Sequence, residues 1–263
     1  MNTVHESGAG NWADRNASAW DSPTVVRTQE YPTPFLHWYE KYLLGISAQE
    51  FEQQPGKVKH IHVVGCGPGR ELPAIRQAYP GANITASDIS PNMIEACAKN
   101  LKAWGCPDGV NLLCRSAALL SPQDGPAQLV IAFNNVLTYV VSKEEQLRTA
   151  RAFRSILVPK GLLIGVVHHR WGRPGKSAFF ALQGILSRAR LGKKTVGDHV
   201  VSYADQPILS HYYTKGELTD LLSEASIRPR HVHSLASLSR SLATKTYNPL
   251  RGDNNLVFVG EAV

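Results

Sequence analysis

Residues 60–75 read HIHVVGCGPGRELPAI, an apolar run closed by three glycines and followed at once by a helical pattern. A chain written this way has few options. Four or five apolar, partly β-branched residues form a short buried strand. Gly65, Gly67 and Gly69 make a turn that tolerates left-handed backbone and carries no side chains. Leu72, Ile75 and Tyr79 recur at helical spacing behind it. The unit is strand, turn, helix, with its backbone open to a ligand at the turn.

The same rhythm continues. ANITAS (82–87), VNLLCR (110–115), AQLVIAFN (127–134) and GLLIGVVHH (161–169) read as further strands. PNMIEACAKNLKAW (91–104) and SKEEQLRTARAFRSIL (142–157) read as helices, the second opened by Ser142 with Glu145 three residues on as a capping box. Strands separated by helices pair in parallel, because only a crossover connection returns the chain to the same sheet edge. TKGELTDLLSEAS (214–226) resumes the helical pattern with Thr214 and Glu217 as a second box, and RPRHVHSLA and NNLVFVGEA follow as two strands joined by a loop, hence antiparallel. The expected fold is α/β: a doubly wound, mostly parallel seven-stranded sheet.

Two regions fall outside this core. Residues 1–11 carry no pattern and are expected to be flexible; residues 12–57 form an N-terminal helical lid, with helices over 11–22 and 33–45, the second stopped by Gly45. Residues 170–210 fit no strand-helix unit and are expected to be a cap inserted after strand five, leaving 58–169 and 211–263 as the core.

Composition narrows the class. The 263 residues are 43% hydrophobic, ordinary for a globular chain. Cys66, Cys97, Cys106 and Cys114 show no CxxC pair and no metal spacing, so no metal site is expected and reduced thiols of a cytoplasmic protein are. No apolar run is long enough to span a bilayer, so no membrane partner is expected. The net charge of +7 favours anionic ligands, and SRARLGKK (187–194) is its one dense run.

The glycine spacing is GxGxG; the dinucleotide fingerprint needs its third glycine where Arg70 stands, which disfavours a nicotinamide enzyme. Strand two ends in Asp88, nineteen residues after Gly69, where a carboxylate accepts two hydrogen bonds from a ribose diol.

HIHVVGCGPGR, ITASDISPNMIEAC, LVIAFNNVLTYV, ILVPKGLLIGVV and HYYTKGELTDLLSEA together resemble the successive motifs of class I, seven-stranded S-adenosylmethionine-dependent methyltransferases. The resemblance covers 58–168 and 211–262 and implies S-adenosylmethionine as cofactor, with S-adenosylhomocysteine as product. It places Gly65, Cys66 and Gly67, with Gly69 in the same turn, beside the methionine part, Asp88 on the ribose hydroxyls and Ile89 and Met93 against the adenine. Asn134 and Asn135 then lie near the amino-acid end. Many relatives carry an acid after strand three; here Ser116 and Ala117 stand there.

Methyl transfer from a sulfonium needs alignment, and a base only where the nucleophile arrives protonated. His168, His169, His211 and Tyr139 are the candidates, each equally suited to tying the cap to the core. His168 and His169 point to opposite faces of a regular strand, so at most one of them faces substrate. Trp20, Tyr31, Trp171 and Tyr213 are candidate substrate contacts. The expected activity is O- or N-methylation of a small organic molecule in secondary metabolism. The alternatives are a tRNA methyltransferase using the basic run for phosphate, and a non-catalytic cofactor-binding module; monomer and homodimer both stay open.

Overall fold

The computed structural model describes residues 9–52, 58–106, 108–171, 174–189, 196–242 and 255–263. Its main sheet is built from β1 (His60–Val64), β2 (Asn83–Asp88), β3 (Val110–Cys114), β4 (Ala127–Ala132) and β5 (Leu157–His168), all parallel, with β8 (Ile227–Ser234) and β9 (Asn255–Ala262) completing the far edge. The order is β3-β2-β1-β4-β5-β9-β8, and β9 runs antiparallel to both of its neighbours. The expected seven-stranded, doubly wound, mostly parallel sheet is therefore present. The chain winds outward from β1 to β3 and then returns to β4 on the other side of β1. That reversal opens a crevice at the carboxyl ends of the strands, with the glycine turn at its centre.

Side-chain alternation fills two cores. Ile61, Val63, Leu129, Ile131, Leu162 and Ile164 face one side; Val64, Val130, Ala132, Leu163 and Val167 face the other. The first face is covered by α3 (Trp38–Glu52), α4 (Leu72–Ala78), α5 (Pro91–Ala103) and α9 (Leu235–Ser241), through Tyr39, Leu43, Ile75, Cys97 and Leu238. The second is covered by α6 (Lys143–Ile156) and α8 (Lys215–Glu224), through Phe153, Ile156, Leu218 and Leu222. A sheet buried on both faces explains why its strands read as continuous apolar runs.

Several local expectations are corrected. Gly45 does not stop its helix: α3 runs through to Glu52, because open space at Gly45 makes the glycine merely tolerable while burial of Leu43 and Leu44 holds the helix. The N-terminal region holds α1 (Ala9–Trp20) and a separate α2 (Pro23–Thr28), so residues 9–11 are helical, and residues 1–8 lie outside the described residues. The connection read as a loop between the last strands begins as α9, capped by Ser234, whose hydroxyl accepts from the Ser237 amide; residues 243–254 lie outside the described residues. Ser142 caps α6 by accepting from the Glu145 amide, but the Glu145 carboxylate turns to Arg148, so only half of that box forms. The Thr214–Glu217 box closes both ways.

The insertion after β5 is more ordered than its sequence suggested. It holds α7 (Pro174–Arg188) and an antiparallel hairpin, β6 (Asp198–Tyr203) with β7 (Gln206–His211). The two hairpin turn residues, Ala204 and Asp205, both adopt positive φ, the geometry of a twist-compatible two-residue turn. Arg170 fastens the return: its guanidinium donates to Glu217 and to the carbonyls of Val196 and Tyr212. The Asn16 side chain of α1 donates to the carbonyls of Tyr139 and Leu209 and accepts from the Leu209 amide, stitching α1, core and hairpin together.

Candidate functional site

The crevice over β1 to β5 is a cavity of ≈ 520 Å³, within the range of small-molecule sites. Sheet order fixes the sequence of its floor: Ser116 beyond β3, Asp88 and Ile89 at β2, Gly65 to Pro68 at β1, Asn134 and Asn135 at β4, His168 at β5. Four strand spacings give roughly 19 Å, long enough for a nucleoside, an amino-acid chain and a second small molecule in line.

The glycine turn is built by left-handed backbone. Gly65, Gly67 and Gly69 have φ of 65°, 50° and 81°. They differ in what surrounds them. A Cβ on Gly69 would lie 2.6 Å from Cys97 Sγ and 3.0 Å from Leu72 Cδ1, so this glycine serves packing and does not line the cavity. A Cβ on Gly67 would meet nothing within 4 Å, and Gly67 borders the cavity: its backbone is the surface offered to a ligand.

Asp88 ties the turn to strand two. One carboxylate oxygen accepts from the Gly67 amide at 2.8 Å and the other from the Ser90 amide at 3.0 Å. Burial pushes its carboxyl upward, and the amides of Ser90, Gly67 and Ile89 pull it back. A carboxylate has about four acceptor positions, so roughly two remain for a diol in the cavity. Ile89 is 41% exposed into this space, whereas Met93, also on the wall, is buried against Val25 and Val26 of α2. Asp21, just after α1, accepts from Ser90 Oγ and the Asn92 amide, tying the N-terminal helices to this end of the cavity.

Ser116 and Ala117 line the wall, as do Cys66, Asn134 and Asn135. The Asn134 side chain is a strut: it donates to the Gly65 carbonyl at 2.8 Å and to Glu71 Oε1 at 3.0 Å, and accepts from Arg70. Behind it lies an ion pair that the sequence did not announce, Arg70 with Glu40, bidentate at 2.7 and 2.8 Å and buried. Glu71 is fully buried and its carboxyl is pushed up to about 7 by burial, against the pull of the Arg70 charge.

The far end is aromatic. Trp20 packs edge-on against Tyr139 at 4.8 Å and beside Tyr203 at 5.7 Å, and Tyr139 is 5.8 Å from the His168 ring. His168 Nδ1 is buried without a hydrogen-bond partner. Burial, helped by the Lys176 charge, lowers the His168 imidazole to about 4, so it is neutral at pH 7. Burial raises the Tyr139 phenol. Trp20 and Tyr31 line the cavity with them.

Not every candidate arrives. His169 pairs through its backbone with Tyr213, on the other side from His168, and does not line the cavity. His211 is buried outside the lining, its Nδ1 at 2.7 Å from Asp198 across the hairpin. The Tyr213 hydroxyl donates to the Leu137 carbonyl, and Trp171 is 40% exposed on the surface. These side chains are fasteners of the cap, or surface. The residues that sequence reading missed are Asn16, Gln29, Tyr203 and the Arg70–Glu40 pair; all lie at contacts between lid, cap and core, which periodicity cannot reveal.

Residues 61–161 match the family described as methyltransferase domain. A curated relative, carboxy-S-adenosyl-L-methionine synthase of Shewanella loihica, is 30% identical over 106 residues, which are 40% of this chain and 42% of that one; the match thus spans less than half of the relative. Among solved structures, an S-adenosylmethionine-dependent methyltransferase from Methanosarcina mazei superposes with a TM-score of 0.63 at 17% identity, covering 81% of this chain and 97% of the other. The 1,6-didemethyltoxoflavin-N1-methyltransferase of Burkholderia thailandensis, solved with its substrate and S-adenosylhomocysteine, superposes with a TM-score of 0.62 at 15% identity, covering 100% and 93%.

Proposed function

We propose that this chain, a class I S-adenosylmethionine-dependent methyltransferase by the domain at residues 61–161 and by its fold, methylates an oxygen or nitrogen of a small, uncharged aromatic molecule. The observation that carries the reading is the run of the cavity from Asp88, past the open backbone of Gly67, to the neutral aromatic end at Trp20, Tyr139 and His168. Asp88 and Ser116 hold the nucleoside, Ile89 and Met93 flank its base, and Gly65 to Gly67 run beside the amino-acid chain. The spare acceptor positions of Asp88 and the open cradle at Gly67 suit that cofactor. When bound, it supplies a methyl group already activated on a sulfonium. The protein's part is to align the nucleophile, exclude water and hold its proton. Trp20, Tyr31, Tyr139 and Tyr203 confine a flat ring, and neutral His168 takes the proton of a hydroxyl or ring nitrogen.

Charge supports an uncharged acceptor. The arginines that border the cavity are each neutralised: Arg70 by Glu40, Arg115 by Asp124, Arg148 by Glu145. The tRNA alternative draws on 187–194, of which 190–194 lie outside the described residues, and no observation at the cavity favours it. A small acceptor accords with the 1,6-didemethyltoxoflavin-N1-methyltransferase neighbour, and we place the reaction in secondary metabolism on that ground alone.

The experiment is calorimetric titration with S-adenosylmethionine, S-adenosylhomocysteine and NAD, then a screen of aromatic hydroxyl and amine acceptors read by release of S-adenosylhomocysteine. The first two ligands bind and NAD does not. Asp88→Ala weakens binding about a hundredfold or more, since two hydrogen bonds to a charged group are worth roughly 1.5–3 kcal/mol each. Preference for NAD, or unchanged affinity in the variant, overturns the reading; cofactor binding with no acceptor turned over leaves the non-catalytic module standing instead.

The glycines give a sharper contrast. Gly67→Ala places a methyl where the ligand's approach is expected and strains one left-handed residue by about 1–2 kcal/mol, so affinity falls while the melting temperature drops by only a few degrees. Gly69→Ala adds the same strain and a collision with Cys97, so the melting temperature falls first. Equal melting of both variants by calorimetry would refute this division of labour.

A further inference from the structure

β5 ends beside a residue that belongs to no motif. Asn255 opens β9 and pairs with His168 across the antiparallel ladder. Residues directly opposite in such a pair carry their side chains on one face of the sheet, with Cβ atoms about 4.5–5.5 Å apart. Alternation along each strand identifies that face: Val166 and Val257, two positions from His168 and Asn255, both belong to the first core. His168 and Asn255 thus extend the face of the first core to the rim of the sheet, and both line the cavity.

A buried amide ordinarily has its partners in the protein. Asn16 and Asn134, which also line the cavity, each make three such bonds, the first to Tyr139 and Leu209, the second to Gly65, Glu71 and Arg70. Asn255 is only 4% exposed, yet its ladder bonds engage the backbone alone, and no hydrogen bond joins its side-chain amide to another described residue. The Tyr139 hydroxyl, at the same aromatic end, is likewise unspent among the described residues.

An amide selects its partner by shape. An N–H donor and a carbonyl acceptor lie side by side in one plane, so the complement is a flat group with an acceptor next to a donor, the arrangement the same side chain reads on the edge of a purine. A lone hydroxyl pairs with half of the amide and leaves the other half desolvated. A lactam or amino-imine edge of a nitrogen heteroaromatic ring pairs with both, and the ring itself suits the walls made by Trp20 and Tyr139. We propose that Asn255 selects the acceptor, holding such an edge of a nitrogen heteroaromatic ring beside His168. This rests on the reading of the cavity as a small-molecule methyltransferase site and narrows its substrate class.

The test reads binding and needs no turnover. The full chain is titrated in a calorimeter, with and without S-adenosylhomocysteine, with two flat bicyclic probes of equal size: carbostyril, which carries a lactam edge, and β-naphthol, which carries a hydroxyl alone. Carbostyril is expected to bind about tenfold or more tightly than β-naphthol, and Asn255→Leu to remove that preference by weakening carbostyril alone. Asn255→Asp, which keeps the size but loses the donor, removes it too. Unchanged melting temperature shows that each variant is folded. Equal affinity for the two probes in the unaltered protein, binding of neither, or a loss in the variants shared by both probes overturns the proposal. Failure of S-adenosylhomocysteine to bind overturns the cofactor reading instead, and the probe preference measured on the protein alone still decides the role of Asn255.

Discussion

Replacing His168 by glutamine is expected to lower turnover of a hydroxyl or amine acceptor by roughly 10²- to 10⁴-fold while leaving S-adenosylmethionine affinity nearly unchanged. The separation follows from place. His168 closes β5 at the aromatic end of the cavity, whereas the residues proposed to hold the nucleoside and its amino-acid chain run from beyond β3 through β2 to the glycine turn after β1, two strands away. Its Nδ1 is buried with no hydrogen-bond partner, an energetic cost that a substrate donor would relieve. The pH profile gives the independent reading. A base works when unprotonated; with the imidazole lowered to about 4, the acid limb of the rate falls near pH 4 and not near 6.5. Burial is the larger cause and the Lys176 charge the smaller, so Lys176→Met shifts that limb upward by a fraction of the gap, without restoring it. Tyr139→Phe has a small effect on the limb, because burial raises the phenol and leaves it protonated at pH 7. Undiminished turnover in His168→Gln would mean that the acceptor arrives with no proton to lose, and that alignment alone does the work.

Legibility of the chain followed the range of each signal. The glycine turn, Asp88 and the alternation of strands with helices are local patterns, and each led to the sheet and to the crevice at the carboxyl ends of its strands. Asp88 was readable because its position at the end of β2 follows from one strand's length. His168 against His169 was readable as a choice, since strand periodicity allows one of them inward, but the direction came from the register of β5 with β9 and from the bridge to Tyr213. The lid and cap were another matter. Asn16 meets Leu209 across 193 positions, and Tyr203 meets Gln29 across 174. Nothing in either local sequence names its partner. The hairpin escaped because its turn is Ala204–Asp205, where Asn-Gly would have announced it. Gly45 misled for the converse reason: tertiary burial of Leu43 and Leu44 outweighed a propensity cost of about 1 kcal/mol.

Arg70 belongs to that long-range class, and its removal should have the largest effect on stability. In the dinucleotide fingerprint its position is a glycine; here the side chain turns back into the protein. It donates bidentately to Glu40 of α3, to Asn134 Oδ1 and to the Phe35 carbonyl, and lies over the Phe35 ring at 4.8 Å. Glu40 is fully buried, and without Arg70 its remaining partner among the described contacts is the His37 amide. Arg70→Met therefore leaves an uncompensated carboxylate inside the first core, at a cost of about 3–5 kcal/mol. For a chain of this size that lowers the melting temperature by roughly 10 °C. Losing the Arg70 charge also pushes Glu71 further up from about 7. Arg70→Met/Glu40→Leu separates the causes. With the orphaned charge gone, most of the melting temperature returns, because an apolar pair substitutes well for a buried ion pair. S-adenosylmethionine affinity does not return with it, since Asn134 has lost the anchor that sets it against the Gly65 carbonyl. Recovery of both would make the pair a matter of stability alone; recovery of neither would show that the guanidinium's other contacts, to Asn134 and Phe35, carry the larger share.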